Sequence, residues 1–183
     1  MLACAENSVV LLVDVQPKFL APIFEADRVL RRCQFLLEVA QLASVPIFAT
    51  EQYPERMGNT HELLLPHAER VEPKMRFSCF GCPSLEGWLQ ESGRNQVIVA
   101  GIETHICVNQ TVHQLMELGY DAILAEDAIS ARSPGMHANG IARMRDEMAT
   151  VAHSESIAYE WLGGADHPKF RELLEIVKRS PVS

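Results

Sequence analysis

The 183-residue chain lacks an apolar run of membrane length. SVVLLVD, near its start, falls well short of the roughly 20 residues a membrane helix needs. No basic segment precedes that run and Asp14 closes it, so it does not read as a secretory signal. A basic stripe of the kind that neutralises phosphates is also missing. Lysines and arginines number 16 against 24 aspartates and glutamates, a formal charge of −8, so neither nucleic acid nor a membrane is expected as a partner. No Gly-x-Gly-x-x-Gly turn follows the first apolar run, where DVQPKF stands instead. P-loop, Gly-x-Ser-x-Gly elbow and His-Glu-x-x-His helix are all absent. So are internal repeats and low-complexity segments. The five cysteines, odd in number and irregular in spacing, do not form a disulfide framework. With no export signal they imply reduced thiols and a cytoplasmic protein.

What is present is 48% hydrophobic, enough for one domain, residues 1–183, with a sizeable core. VVLLVD (9–14) is a continuous apolar run, as in a strand buried on both faces. Residues 27–43 then carry Val29, Leu30, Cys33, Leu36, Leu37 and Ala40 at helical spacing. Strands are predicted at 45–50, 96–101, 121–127 and 149–153, and helices at 84–92, 105–118, 135–148 and 168–179. The stretch holding Pro54, Gly58, Pro66 and Pro73 reads as loop. Such alternation predicts a doubly wound, Rossmann-like α/β fold: three α/β/α layers around a mostly parallel sheet of about six strands. Ligands of such sheets bind beyond the carboxyl ends of the strands. That directs attention to Asp14, Thr50-Glu51, Glu103-Thr104-Cys107 and Glu126-Asp127.

Cys107 follows the strand that ends at Gly101. With Thr104 as N-cap it would be the third helical residue, where unpaired N–H groups favour an anion and lower a thiol's pKa. From spacing alone it reads equally well as a small buried hydrophobe. Asp14 at the end of an apolar strand needs a partner, and it could serve the thiol as a general base or simply close a turn. By composition Lys74 is one more surface lysine. Cys79-x-x-Cys82 raises a thiol-redox alternative, although a single pair cannot complete a zinc site.

LLVDVQPKF, PIFATEQYP, EPKMRFSCF, VIVAGIETHICVNQT and EDAISARS stand in this order along nearly the whole chain. Together they resemble the isochorismatase-like hydrolases, the cysteine hydrolase family. TEQYP and KMRFSCF are most similar to the isochorismatase domain-containing subgroup. The resemblance implies a catalytic triad of Asp14, Lys74 and Cys107 that cleaves a small amide or related acyl substrate through an acyl-enzyme. It also implies a cis peptide at Ile102–Glu103 and an oxyanion hole from the N–H groups of Glu103 and Cys107. Glu51, Gln52, Tyr53 and Pro54 stand where nicotinamidases of the family carry an Asp-x-His metal motif, so neither metal nor cofactor is expected. Gln16, Phe19, Tyr53, Phe80, Thr104 and His105 are the candidate substrate contacts. A homo-oligomer is expected from the family. The competing reading is a non-catalytic metabolite-binding or scaffold protein that retains the fold.

Overall fold

The computed structural model describes residues 1–180. Its elements run β1 (Ser8–Val13), α1 (Pro17–Leu20), α2 (Ala26–Leu42), β2 (Ile47–Gln52), α3 (Pro54–Met57), β3 (Arg70–Lys74), α4 (Leu85–Ser92) and β4 (Gln96–Ile102). They continue with α5 (Asn109–Glu117), β5 (Asp121–Ser130), α6 (Pro134–Asp146), β6 (Thr150–Ala152), α7 (Ser154–Leu162) and α8 (Phe170–Arg179). The six strands form one sheet in the order β3-β2-β1-β4-β5-β6, and every pairing is parallel. The numbering reverses direction between β1 and β4, so the crevice of this sheet opens beyond Val13 and Ile102.

Alternation along the strands makes two cores. Val10 and Leu12 of β1 face Phe35 and Leu36 of α2, Trp161 of α7 and Leu173 of α8. Val9, Leu11 and Val13 face Leu85 of α4, Val112 of α5 and Met144 of α6. Successive strand side chains point to opposite faces, and both faces are covered, hence the unbroken apolar runs. The expected three-layer fold is the one observed.

Three local expectations are revised. The stretch at 70–74, read as loop, is edge strand β3; its residue Pro73 cannot donate to a ladder and is tolerated only at such an edge. Residues 154–162, to which the periodicity assigned nothing, are helix α7. The helix predicted from 105 begins instead with a π-helical turn, Thr104–Val108, whose N-cap is Glu103 rather than Thr104. The Glu103 carbonyl accepts from Ile106 N at 3.0 Å and Val108 N at 3.2 Å. Among the described residues no helix is long and apolar enough to cross a membrane.

Candidate active site

The end of β1 turns sharply. Asp14 has φ 51°, in the left-handed region that aspartate tolerates better than most residues. Its N–H donates to the Thr50 carbonyl at 3.2 Å and its carbonyl accepts from Gln16 N at 2.8 Å. One strand over, Gly101 pairs with Val13 at φ 112°, where an added Cβ would lie 2.1 Å from the Val13 carbonyl oxygen. Only glycine lets β4 approach β1 so closely at this point. A cis peptide joins Ile102 to Glu103, and the π-helical turn carrying Cys107 begins at the next residue.

Asp14, Lys74 and Cys107 come together here from the ends of β1 and β3 and the turn after β4. Asp14 is 1% exposed and Lys74 2%. Lys74 Nζ donates to Asp14 Oδ2 at 2.6 Å, and Thr50 Oγ1 donates to Asp14 Oδ1 at 2.7 Å. Burial pushes the Asp14 carboxyl above its ordinary range, opposed by Lys74 and by hydrogen bonds from Thr50 and Cys107. Burial pulls Lys74 down, but the Asp14 carboxylate and the two neighbouring thiols, Cys79 and Cys107, carry it above its ordinary value. The expected lowering of the Cys107 pKa is not found. Burial and the adjacent Asp14 charge push the thiol up, and Lys74 only partly offsets them. The protonated thiol is thereby favoured beside the Asp14 carboxyl.

Cys107 opens onto a cleft of about 120 Å³. Its walls are Phe19, Phe77, Ile102 and Ile106, with Asp14, Gln52, Glu103 and Cys107 supplying the polar atoms. Among the described residues lining it there is no lysine or arginine. Glu103 is itself paired with Arg132 Nε at 2.9 Å.

Of the candidate substrate contacts, Phe19 lines this cleft. The others lie elsewhere. Gln16 is buried and clamps the backbone of Gln52, with bonds of 2.7 and 3.1 Å. Tyr53 is an exposed turn residue beside Arg56. Phe80 lines a separate groove with Cys82, Pro83 and Glu86. Thr104 is buried and bonds His137 Nδ1 at 2.8 Å, and His105 packs where α6 comes close at Gly140. Sequence reasoning did not name Gln52, Phe77, Ile102 or Ile106 as residues of the cleft. Ile102 and Gln52 end strands and were open to the same rule that found Asp14; Phe77 carries no such signal.

The remaining polar residues flagged at strand ends are structural. Glu51 accepts from Thr60 N at 2.6 Å and Asn59 Nδ2 at 3.2 Å. Asp127 binds Arg32 and Ser154 at 2.7 and 2.6 Å, and Glu126 is exposed. Cys79 is wholly buried beside Thr50, with its thiol pushed up to about 11 by burial and by the Asp14 charge. Cys82 turns toward the carbonyls of Glu72 and Pro73, and burial pushes it up to about 12. All five thiols are free. No three His, Cys, Asp or Glu side chains among the described residues are clustered as a metal site.

The isochorismatase domain model matches residues 8–156 of the chain, which spans every strand of the sheet and all three clustered residues. The chain belongs to the isochorismatase family. Isochorismatase domain-containing protein 2A of Mus musculus is 36% identical over 177 residues, 94% of this chain and 84% of the mouse protein. Isochorismatase domain-containing protein 1 of Salmo salar is 35% identical over 169 residues, 91% of this chain but only 59% of the salmon protein. A solved structure described as the MAR1 ribonuclease of Caenorhabditis elegans superposes with a TM-score of 0.93 at 31% identity, covering 99% of this chain and 95% of that one. This isochorismatase-family chain therefore has a hydrolase fold, with its buried ion pair and thiol at the crevice of the sheet.

Proposed function

We propose that the chain is a metal-independent cysteine hydrolase of small, neutral amides or related acyl compounds. The observation that carries this is the buried Asp14–Lys74 pair, 2.6 Å apart, lying with the Cys107 thiol at one cleft. A carboxylate held ionised by an ammonium is a base that can take the Cys107 proton. Sγ then adds to the substrate carbonyl carbon, and the N–H groups of Glu103 and Cys107 receive the oxyanion. The oxyanion collapses, the C–N bond breaks, and the proton held on Asp14 passes to the departing amine. Water, losing a proton to Asp14, attacks the thioester. The carboxylic acid leaves and the Cys107 thiol is restored.

Size and charge narrow the substrate. At about 120 Å³ the cleft is small beside the roughly 300–1,000 Å³ of ordinary ligand pockets, which favours a small substrate. Its apolar walls and lack of a lining cation favour a short, uncharged acyl chain over an anion. Near the end of β2, the Glu51 carboxylate is already engaged with Asn59 and Thr60, which supports chemistry without a metal. The cytoplasm is the proposed compartment, since it would keep five free thiols reduced. A homo-oligomer is proposed as the working form, and light scattering should return a multiple of the 20.4 kDa chain mass.

The deciding experiment is ammonia release from amides of two to six carbons by wild type and by Cys107→Ala. The variant should lose about 10⁴-fold or more while melting like wild type. Undiminished turnover by the variant would reject the reading. Tight binding of a metabolite without turnover by wild type would favour a binding protein. The ribonuclease named for the C. elegans structure is a second reading, and RNA belongs in the same panel. A charge of −8 and a cleft far below the 300 Å³ or more of ordinary ligand pockets speak against it.

A further inference from the structure

Gln52, the last residue of β2, touches both the cleft and Lys74. Its backbone has no freedom, because its N–H donates to Gln16 Oε1 at 2.7 Å and its carbonyl accepts from Gln16 Nε2 at 3.1 Å. Its side-chain amide is oriented from both ends. Nε2 donates to the Met75 carbonyl at 2.9 Å, and Oε1 accepts from Lys74 Nζ at 2.7 Å. A flipped amide would set N–H against the ammonium and oxygen against the carbonyl oxygen.

The Lys74 ammonium carries three protons and faces four acceptors. These are Asp14 Oδ2 at 2.6 Å, Gln52 Oε1 at 2.7 Å, the Phe77 carbonyl at 2.9 Å and the Arg76 carbonyl at 3.2 Å. No proton is left over for a substrate, so Lys74 acts through its charge. Three of the four acceptors are neutral, and Asp14 is the single carboxylate among them.

We propose that Gln52 is a positioning residue: it holds Lys74 with a neutral oxygen, so that Asp14 is the one carboxylate bound to the ammonium and the positive charge stays undivided beside Asp14 and Cys107. This rests on the reading of those three residues as one catalytic unit. A carboxylate of the same length would still accept from Lys74. It would also divide the ammonium between two anions and add a negative charge beside the thiol, which disfavours the thiolate. The titratable and charged groups around Cys107 are Asp14, Lys74, Cys79 and Glu103. Arg132 is already paired with Glu103, so an added anion would draw on Lys74.

Iodoacetamide, itself a small neutral amide, reports on this without a substrate. Cys107 labelling is followed by mass spectrometry across pH, with thermal melting alongside. Gln52→Glu should slow labelling about tenfold at neutral pH, the effect of a one-unit upward shift. The gap should close at low pH, where the introduced carboxyl is protonated and resembles the amide. Gln52→Met, similar in length but without hydrogen bonds, should lower Tm with a much smaller shift in the profile. Gln52→Asp and Gln52→Asn repeat the charge contrast at shorter length if the longer pair fails to fold. Unchanged profiles in the carboxylate variants, or equal shifts in the charged and uncharged ones, would overturn the proposal. A wild type that cleaves no amide while the charge contrast holds would reject the hydrolase reading and leave the positioning role standing.

Discussion

Lys74 and Asp14 are each almost wholly removed from water, and neither charge is tolerable there alone. Lys74→Met should cost about 3 kcal/mol at neutral pH, measured by urea denaturation. The sign of its pH dependence follows from Asp14. A carboxyl whose folded pKa lies above its unfolded value gains protons on folding, so the penalty is largest above the folded pKa and shrinks as pH falls through it. His137 tests the opposite case. Burial and the Arg28 charge lower its pKa, so the unfolded chain binds the extra proton. Its contribution is complete above about pH 6.5 and fades as pH falls through the folded value. His137→Asn should flatten that part of the stability profile. Among the thiols, brief native alkylation should label exposed Cys4 and cleft-facing Cys107. Cys33, Cys79 and Cys82 should wait for denaturant; early labelling of Cys79 would mean that its surroundings open.

Elements differ in how far their own residues announce them. β1 and β4 are legible because strands covered on both faces must be apolar throughout. RVEPK gives no such signal: β3 is an edge strand with exposed and half-exposed residues and a proline, and only its pairing with β2 makes it a strand. Lys74 therefore looked like any surface lysine, and its burial depends on tertiary context. Asp14 was legible as a charge ending an apolar run. Gln52 was passed over because its work lies in two partners distant in sequence, Gln16 and Lys74. The low thiol pKa expected at a helix start fails for a similar reason, since burial and the nearby carboxylate outweigh the helix end. Gly101 carries the sharpest prediction at this scale. Gly101→Ala places a methyl against the Val13 carbonyl at a φ that L-residues avoid, and should yield little folded protein by circular dichroism.

Across the whole molecule, the site stands at the centre of the sheet and a second polar network braces one helical layer. Arg32 of α2 is 1% exposed. It binds Asp127 of β5 at 2.7 Å, Ser154 of α7 and the Ser180 carbonyl at 3.0 Å, and its guanidinium lies 4.0 Å over Phe35. Asp127→Ala would strand that guanidinium and should cost about 3–5 kcal/mol in denaturant titrations, with Cys107 labelling unchanged at pH 7 in the protein that remains folded.

The strand order has a temporal consequence. Val13 lies between Thr50 and Gly101, and Lys74 arrives only with the outermost strand on one side. The thiol's turn follows β4, so the site's parts come from pairings far apart along the chain. Such pairings are slow to form. A nascent chain that has made β1, α2 and β2 holds Asp14 and Thr50 but neither Lys74 nor Cys107. The candidate site is thus incomplete during synthesis and is assembled only when β3 and β4 have both joined the sheet.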